Sequence, residues 1–256
     1  MRFLYSQNGC WSPASEHASE HEVINENCLV CKGKLDYFQF AQEMKCFECG
    51  IVEMGYVNCA NGHYICEKCH GRKTLEVLID KVWEMDDKNP FIMAESLIDN
   101  LELPMLGCEH AWVAAGAFII ALRNNGLDIN KDQLEEVIIR TQKQAIGAYC
   151  GLTGICGIAP AIGAVYSVIL GASCPKNQET SNTMHVVADV IKAIAYQAGP
   201  CCCKNFVYTA LKIACDKSDV YIGIKLDTDC NIICKDSKRH PHGCRKEKCT
   251  YYGQEE

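Results

Sequence analysis

Apolar residues recur at helical spacing through most of the chain after residue 72, with short polar turns between the runs. In the segment from Lys73 to Met85 they are three or four residues apart, which is the period of one helix face: Leu75, Leu78, Ile79 and Val82. The same period predicts further helices that begin near Asn89, Ala111, Asn130, Ile158, Ser181 or Asn182, and Cys201. The pattern therefore predicts a mainly α-helical body.

Local signals support several of these helix boundaries. Asn89-Pro90 is a favourable helix start, and Pro104 ends the segment that follows it. Asn130 with Gln133 three residues later resembles a capping box for a helix through Gln144. These signals predict separate helices joined by short turns.

One segment near the C-terminus has a different period. Between Asp219 and Leu226 the apolar residues alternate with others: Val220, Ile222, Ile224 and Leu226. Alternation places apolar side chains on one face of a strand. We therefore expect a short β element near the C-terminus.

The stretch from Ala145 to Cys174 carries no charged residue and no histidine, and it is long enough to span a bilayer. However, Gly and Ala dominate it, Pro160 interrupts it, and no Trp or Arg anchors flank it. We interpret it as a glycine-rich turn followed by a buried helix, and we expect no membrane span.

Composition adds two constraints. The formal charge of -7 argues against a DNA-binding groove, although the segment from Lys235 to Lys248 is locally basic. The chain contains twenty cysteines, and Met1 to His21 has no apolar export segment. Repeated C-x2-C pairs favour metal binding over disulfides, so we expect a reducing cytoplasm, such as that of an anaerobe.

The cysteine spacing suggests three regions. Residues 1–27 are polar and non-periodic, which predicts a flexible tail. Residues 28–72 form a predicted zinc module, and residues 73–256 form a helical domain with a Cys-rich tail. The module offers eight ligands for two structural zinc ions: Cys28, Cys31, Cys46, Cys49, Cys59, His63, Cys66 and Cys69.

Two pairings of these ligands are possible. In a cross-braced module one ion is held by Cys46, Cys49, Cys66 and Cys69, and the other by Cys28, Cys31, Cys59 and His63. In a sequential module the first four cysteines bind one ion and the remaining four ligands bind the second. We favour the cross-brace, because it sets a helix start opposite a knuckle that ends in glycine, as in a treble clef.

The helical body brings further cysteines to predicted helix starts, where unpaired amides and partial positive charge favour thiolate over thiol. We expect one pocket from these starts, in which Cys150, Cys156, Cys202 and Cys203 are cofactor ligands or redox thiols. Glu109 and His110 are candidates for proton transfer, and Lys204 for fixing negative charge. The candidate catalytic residues are Glu109, His110, Cys156, Cys202, Cys203 and Lys204.

The C-terminal tail contains another candidate metal cluster. Cys230 and Cys234 are followed by Cys244 and Cys249, with His240 and His242 between the pairs. Several such cysteines can ligate an iron-sulfur cluster, and a third zinc site is the alternative. The candidate cofactor ligands are therefore Cys150, Cys156, Cys202, Cys230, Cys234, Cys244 and Cys249.

Two resemblances bear on these interpretations. The eight-ligand module, the Cys156-Gly helix start, the Gly199-Pro-Cys-Cys turn and the Cys-rich C-terminus look like a domain family of unknown function from anaerobic bacteria and methanogens. The run Gly154-Ile-Cys-Gly-Ile-Ala-Pro160 is similar to the helix start of iron-sulfur L-serine dehydratase α chains. The second resemblance implies iron-sulfur chemistry near Cys156.

The leading hypothesis is a cytoplasmic metal-binding protein that acts as an iron-sulfur or thiol-dependent enzyme, or as a component of one with a redox partner protein. A [4Fe-4S] cluster would serve as a Lewis acid or as an electron carrier. The alternative is a non-catalytic zinc adaptor or a metal or sulfur carrier. Thiol-disulfide exchange at Cys201 to Cys203 is a third possibility.

Overall fold

The computed structural model describes residues 27–66, 68–101, 103–147, 149–197 and 199–253. The predicted N-terminal tail, residues 1–27, lies outside the described residues except for Asn27. The described chain is mainly α-helical, as the apolar periodicity predicts, with one small sheet.

The sheet is an antiparallel hairpin within the predicted zinc module. Strand β1 (Leu35–Lys45) pairs with β2 (Val52–Cys59), and the register shifts between Tyr37 and Gln42. Sequence analysis missed this hairpin, because most of its side chains are exposed or half-buried and give no clean alternation. The hairpin sets the distance between the cysteines at its two ends.

The prediction of a β element near the C-terminus is wrong, since the sheet of the described residues lies near the N-terminus. Residues 219–222 form the last turn of a long helix, and Gly223 ends it in the left-handed region with φ 79°. The Ser218 hydroxyl caps this turn. Its Oγ lies 2.9 Å from the Cys215 carbonyl oxygen and 2.7 Å from the Ile224 carbonyl oxygen, and it can donate to either. Val220, which the strand would have buried, is 74% exposed.

Eight α-helices follow the hairpin in the described residues. They are α1 (Arg72–Glu84), α2 (Pro90–Asn100), α3 (Glu109–Asn124), α4 (Lys131–Gln142), α5 (Cys150–Thr153), α6 (Ile158–Leu170), α7 (Gln178–Gln197) and α8 (Cys203–Ile222). Single 3₁₀ turns at Ser237–Arg239 and Lys246–Lys248 follow in the C-terminal segment.

The core is built around α3 and α6. Helix α3 is buried from Glu109 to Leu122 and packs against α1, α2, α4, α6 and α8. Helix α6 also contacts α4, α7 and α8. Helix α6, the buried helix that the sequence predicts within the uncharged run, therefore lies in the core from Ile158 to Tyr166, whereas residues 151–155 before it are exposed.

The helix starts are mostly those that the sequence predicts. The Asn130 side chain accepts from the Gln133 N–H at 2.9 Å and completes the predicted capping box of α4. Helix α7 begins at Gln178, three residues before the expected cap at Ser181. The predicted segment from Cys201 to Cys215 is part of the longer α8.

No helix among the described residues is both long enough and apolar enough to cross a bilayer.

Candidate metal centres and cysteine clusters

One group of four ligands joins the base of the hairpin to the segment before it. Cys28 Sγ lies 3.8 Å from His63 Nδ1, Cys31 Sγ lies 3.7 Å from Cys59 Sγ, and Cys59 Sγ lies 3.5 Å from His63 Nδ1. Cys59 is the last residue of β2, so the hairpin itself delivers this ligand. We name Cys28, Cys31, Cys59 and His63 the first zinc-type group.

The second group joins the tip of the hairpin to the start of α1. Cys46 and Cys49 flank the turn after β1, and Gly50 takes a φ of 75° there, a value that suits glycine. Cys66 lies before α1, and its Sγ is 3.6 Å from that of Cys49. We name Cys46, Cys49, Cys66 and Cys69 the second zinc-type group.

Both groups have the spacing of a tetrahedral metal site. Within each group the four ligand atoms all lie within 4.8 Å of one another. A zinc ion with Zn–S bonds of about 2.3 Å holds its ligand atoms about 3.8 Å apart. The grouping is the one of the cross-braced pairing, and the sequential pairing would need ligands that the hairpin keeps apart.

Hydrogen bonds favour thiolate in both groups. The amide of Asn61 donates to Cys31 Sγ at 3.3 Å and lowers the pKa of Cys31 to about 6. Burial alone would raise the pKa of Cys46, but backbone N–H groups, including that of Cys66 at 3.3 Å, lower it to about 6. Thiolates are the form that binds metal, so these contacts prepare one sulfur of each group for ligation, whereas burial raises the pKa values of Cys59, Cys66 and Cys69.

His70 belongs to the junction between the module and the body. Its Nδ1 lies 3.2 Å from Oε1 of the buried Glu109 at the start of α3. Burial would raise the pKa of Glu109, but the hydrogen bond and charge of His70 outweigh it and lower that pKa. A Cβ on Gly71 would approach Trp112 to 2.9 Å, so the module and α3 pack closely here.

His110 lies beside this junction and is 1% exposed. Burial lowers its pKa to about 4, so the ring is neutral at physiological pH. Its Nδ1 and Oε2 of Glu109 have no hydrogen-bond partner within the described part of the chain. Both predicted proton-transfer residues are therefore buried at the N-terminus of one core helix.

Several body cysteines meet near the start of α3. A hydrogen bond with Cys201 lowers the pKa of Cys150 to about 6. Burial raises the pKa of Cys203 well above its ordinary value, and the neighbouring Cys156 raises it further. The pKa of Cys156 is raised to about 12, again chiefly by burial. The structure thus brings together Cys150, Cys156, Cys201 and Cys203, which we name the helix-start cysteines.

Cys202 is not part of that group. It lines a small cavity together with Cys234, Cys244 and Cys249 from the C-terminal segment. Burial raises the pKa of Cys202 to about 11, with smaller contributions from Cys234 and Cys249. We name these four residues the C-terminal cysteine pocket. The cysteine triplet therefore divides between two environments.

Two predicted site residues lie elsewhere or already have partners. Cys230 packs against the hydrophobic core, and the carboxylates of Asp229 and Asp227 are among its neighbours. Lys204 is 2% exposed, and its Nζ lies 3.0 Å from Asp236 and 3.2 Å from Glu95. These ion pairs balance the charge of Lys204 within the protein.

Sequence reasoning missed the residues that support the sulfur atoms. Asn61 donates to Cys31, and the amide of Asn205 donates to Cys249 at 3.3 Å across 44 positions of sequence. Asn61 could have been suspected from its place between two ligands. No local signal marks Asn205, which was one polar residue in an otherwise ordinary helix.

Comparison with known proteins gives one family. A model of a family of unknown function, DUF5714, matches residues 78–252. That range includes the helix-start cysteines and the C-terminal cysteine pocket, and it leaves both zinc-type groups outside. No curated protein and no solved structure matches the chain. Since the matched range exceeds half of the 256 residues, the chain belongs to the DUF5714 family of unknown function.

Proposed function

We propose that this protein is a zinc-stabilised metalloprotein whose helical body acts as an iron-sulfur or thiol-dependent enzyme, or as a component of one. The observation that carries the proposal is the pair of four-ligand groups at tetrahedral spacing. Each group uses only sulfur and imidazole donors, which is the ligand set of structural zinc. Its ligands all come from the protein, which suits a structural ion better than a catalytic one.

The zinc ions hold the N-terminal module together. Its hairpin has few buried side chains, and the hydrophobic cluster around the second group consists of three cysteines with Tyr64 and Ile65 beside them. Such a small core cannot offset the chain entropy of ordering the module. Zinc binding, with an apparent free energy of about 10 to 16 kcal/mol, can do so.

The module is also joined to the half of the protein that carries the other cysteines. The contact between His70 and Glu109 fixes the start of α3, the helix whose first residues lie beside the helix-start cysteines. The N–H of Gly107, just before that helix, donates to Cys203. Zinc at the module therefore orders the backbone around the candidate chemical centre.

The chemical centre of this proposal is the set of helix-start cysteines. Cys150 is the reactive thiol, because its hydrogen bond with Cys201 keeps its pKa near neutrality. The buried Glu109 and His110 would carry protons at the start of α3, where the Gly107 N–H donates to Cys203. Free thiols of this kind persist in a reducing compartment, so we place the protein in the cytoplasm.

Zinc analysis of purified variants tests the proposal. Wild-type protein is expected to contain about two zinc ions per chain, and Cys46→Ser and Cys59→Ser about one each, because each removes a ligand from a different group. The matched control is Cys174→Ser, which changes an exposed cysteine outside both groups. Loss of both ions in each single variant would contradict two separate sites, and a zinc-free wild-type protein would overturn the proposal.

Alkylation kinetics test the reactive thiol. Cys150 is expected to react with iodoacetamide at least several-fold faster than the exposed Cys174 at neutral pH, because the lowered pKa of Cys150 keeps much of it as thiolate. Replacement of Cys201 by Ala should shift the reaction of Cys150 toward higher pH, because alanine cannot donate the hydrogen bond that lowers the pKa of Cys150. Equal reactivity of Cys150 and Cys174 would contradict a thiol-dependent centre.

A zinc adaptor is a second candidate, favoured by the surface of the hairpin. Phe40 is 78% exposed, Met54 is 61% exposed and Phe47 is 60% exposed. Exposed apolar residues on a small module are typical of protein-binding surfaces. The adaptor would contain zinc alone and tolerate Cys156→Ser and Cys150→Ser without loss of function, whereas the enzyme would not.

A further inference from the structure

The C-terminal cysteine pocket gathers four thiols from segments far apart in sequence. Cys202 is the N-cap of α8, while Cys234, Cys244 and Cys249 lie in the segment that wraps back over the start of that helix. A parallel bridge between Cys234 and Tyr252, with the Cys234 N–H 2.7 Å from the Tyr251 oxygen, closes the wrap. The packing of a hydrophobic core does not by itself explain why four free thiols line one cavity.

The sulfur atoms of the pocket are further apart than those of the zinc-type groups. Among the described residues, the sets of three or more ligand atoms within 4.8 Å of one another are the two zinc-type groups, and no three pocket sulfurs meet that limit. The zinc-type groups also show sulfur–sulfur contacts of 3.6 and 3.7 Å, whereas no such contact joins two described pocket cysteines. The pocket is therefore too wide for one tetrahedral ion.

Hydrogen-bond donors point at the pocket sulfurs. The N–H of Asp236 lies 3.4 Å from Cys234 Sγ, and the N–H of Lys246 lies 3.3 Å from Cys244 Sγ. The Asn205 amide supplies a third donor to Cys249 at 3.3 Å. Donors of this kind stabilise metal-bound thiolates and set the potential of iron-sulfur clusters.

Histidine is not part of the ligand set of the pocket. His240 lines the cavity and is 4% exposed, but both of its ring nitrogens already have partners. Nε2 lies 2.8 Å from the Cys201 carbonyl, to which it donates, and Nδ1 accepts from the N–H of His242 at 3.2 Å. His240 is thus a positioning residue that fixes the backbone beside Cys202, and the four cysteines form a complete set.

Positive charge surrounds the same cavity. Arg245 lines it, and its charge favours the thiolate of Cys202. The twenty-residue helix α8 directs its N-terminus at the pocket, while the charge of Lys204 in its first turn is already balanced by Asp236 and Glu95. Four thiolates around ferric and ferrous iron leave a net negative charge, so this environment is the one that a thiolate-ligated cluster requires.

We infer that Cys202, Cys234, Cys244 and Cys249 ligate a [4Fe-4S] cluster. One sulfur for each iron explains why no two of them are in contact, since a two-iron cluster would bring two thiolates to each metal and hence close together. This site rests on the iron-sulfur part of the proposed function, for which it names the ligands, and it depends on neither zinc ion.

The ligation also limits what the cluster can do. With all four irons bound by cysteine and the cavity covered by protein, no iron position is open to a substrate. The cluster would therefore carry electrons: it would take up one electron from a low-potential one-electron donor and pass it to a one-electron acceptor, with no bond to a substrate made or broken.

The test is iron and acid-labile sulfide analysis of the full chain, purified without oxygen or reconstituted with ferrous iron and sulfide. We expect about four iron and four sulfide per chain in addition to zinc, and a paramagnetic signal after dithionite reduction. Cys202→Ser and Cys244→Ser are expected to lose most of the iron. Cys230→Ser is the matched control, because it removes a cysteine of the same segment from outside the pocket.

Helix content and the zinc stoichiometry of each variant show whether it has folded. If both variants fail to fold, the iron and sulfide content of the wild-type protein decides whether a cluster is present. Iron-free wild-type protein, or a third zinc ion in place of iron, would overturn the inference. Iron that survives in Cys202→Ser and Cys244→Ser, or that is lost equally in Cys230→Ser, would overturn the assignment of ligands. Failure to find iron leaves the two zinc ions untouched, so the two proposals fail separately.

Discussion

The zinc-type groups and the C-terminal cysteine pocket both consist mainly of cysteines, but the distances between their sulfur atoms differ. In the zinc-type groups all ligand atoms lie within 4.8 Å of one another, whereas no three sulfurs of the pocket do so among the described residues. A single ion fits the first spacing and a multi-iron cluster fits the second. We infer from this difference that the spacing of the ligands, more than their type, determines which metal centre each region binds.

The two regions also differ in what holds the ligands in place. The module has a small core and an exposed hairpin, so its ligands depend on the metal. The pocket rests on α8, whose buried residues belong to the main core, and on the ion pairs of Lys204 below it. Metal loss should therefore unfold the module and leave the framework of the pocket standing.

The largest expected effect is the loss of zinc from the module. Chelation of zinc should make residues 28–69 sensitive to protease while the helical signal of the body persists, because apparent binding energies of about 10 to 16 kcal/mol are then removed from the module alone. Limited proteolysis with circular dichroism measures this. Cooperative unfolding of the whole chain on chelation would show that the two regions are not separate.

The next effect concerns the support beneath the pocket. Lys204→Met should reduce the free energy of unfolding by about 3 kcal/mol, because it leaves Glu95 without its counter-charge and Asp236 with Arg239 alone. Lys217→Met is the matched control, since its pair with Asp189 is partly exposed and should contribute about 0 to 1 kcal/mol. Urea unfolding compares them, and equal effects would contradict a structural role for Lys204.

A smaller effect is expected at the junction between module and body. Glu109→Gln should reduce the free energy of unfolding by about 1 to 2 kcal/mol, because it removes a charge-assisted hydrogen bond to His70. The folded-state pKa of Glu109 is lowered, so its contribution is present above the unfolded pKa and lost as pH falls through the folded one.

Urea unfolding of wild type and Glu109→Gln at several acidic pH values measures this difference, with the zinc content checked at each. The gap between the two proteins should narrow as the pH falls. A double-mutant cycle with His70→Gln isolates the pair. A coupling energy near zero, or a gap that widens toward acid, would mean that the contact does not join the regions.

The smallest effect is expected from exchanging one zinc ligand type for another. His63→Cys should keep about two zinc ions per chain, because four cysteines serve a structural zinc as well as three cysteines and a histidine. Zinc analysis measures it against Cys59→Ser, which should lose one ion. Loss of zinc in His63→Cys would mean that ligand type, rather than spacing, decides metal binding here.

The members of the two zinc-type groups were predictable from sequence because the spacing of their ligands is local. The pairs from Cys28 to Cys69 follow knuckle spacings that a short turn fixes. The helices were predictable for the same reason, since their apolar period reports one buried face. The terminal turn of α8 was misread as a strand because its residues alternate by chance, and only the capping by Ser218 and Gly223 reveals the helix.

The pocket could not be assembled from sequence. Cys202 and Cys203 are neighbours in the chain, yet they face different groups, because the first is the N-cap and the second opens the helix. Which tail cysteines reach Cys202 depends on how the segment after α8 wraps back, and that path places Cys230 outside the pocket. Such long-range geometry leaves no periodic trace in the residues.

Native mass spectrometry of the anaerobically purified full chain counts every metal bound to one intact molecule. We expect a mass that corresponds to the polypeptide with about two zinc ions and one [4Fe-4S] cluster. A mass with zinc alone, whether two ions or three, would contradict the division of the cysteines into zinc sites and a cluster site.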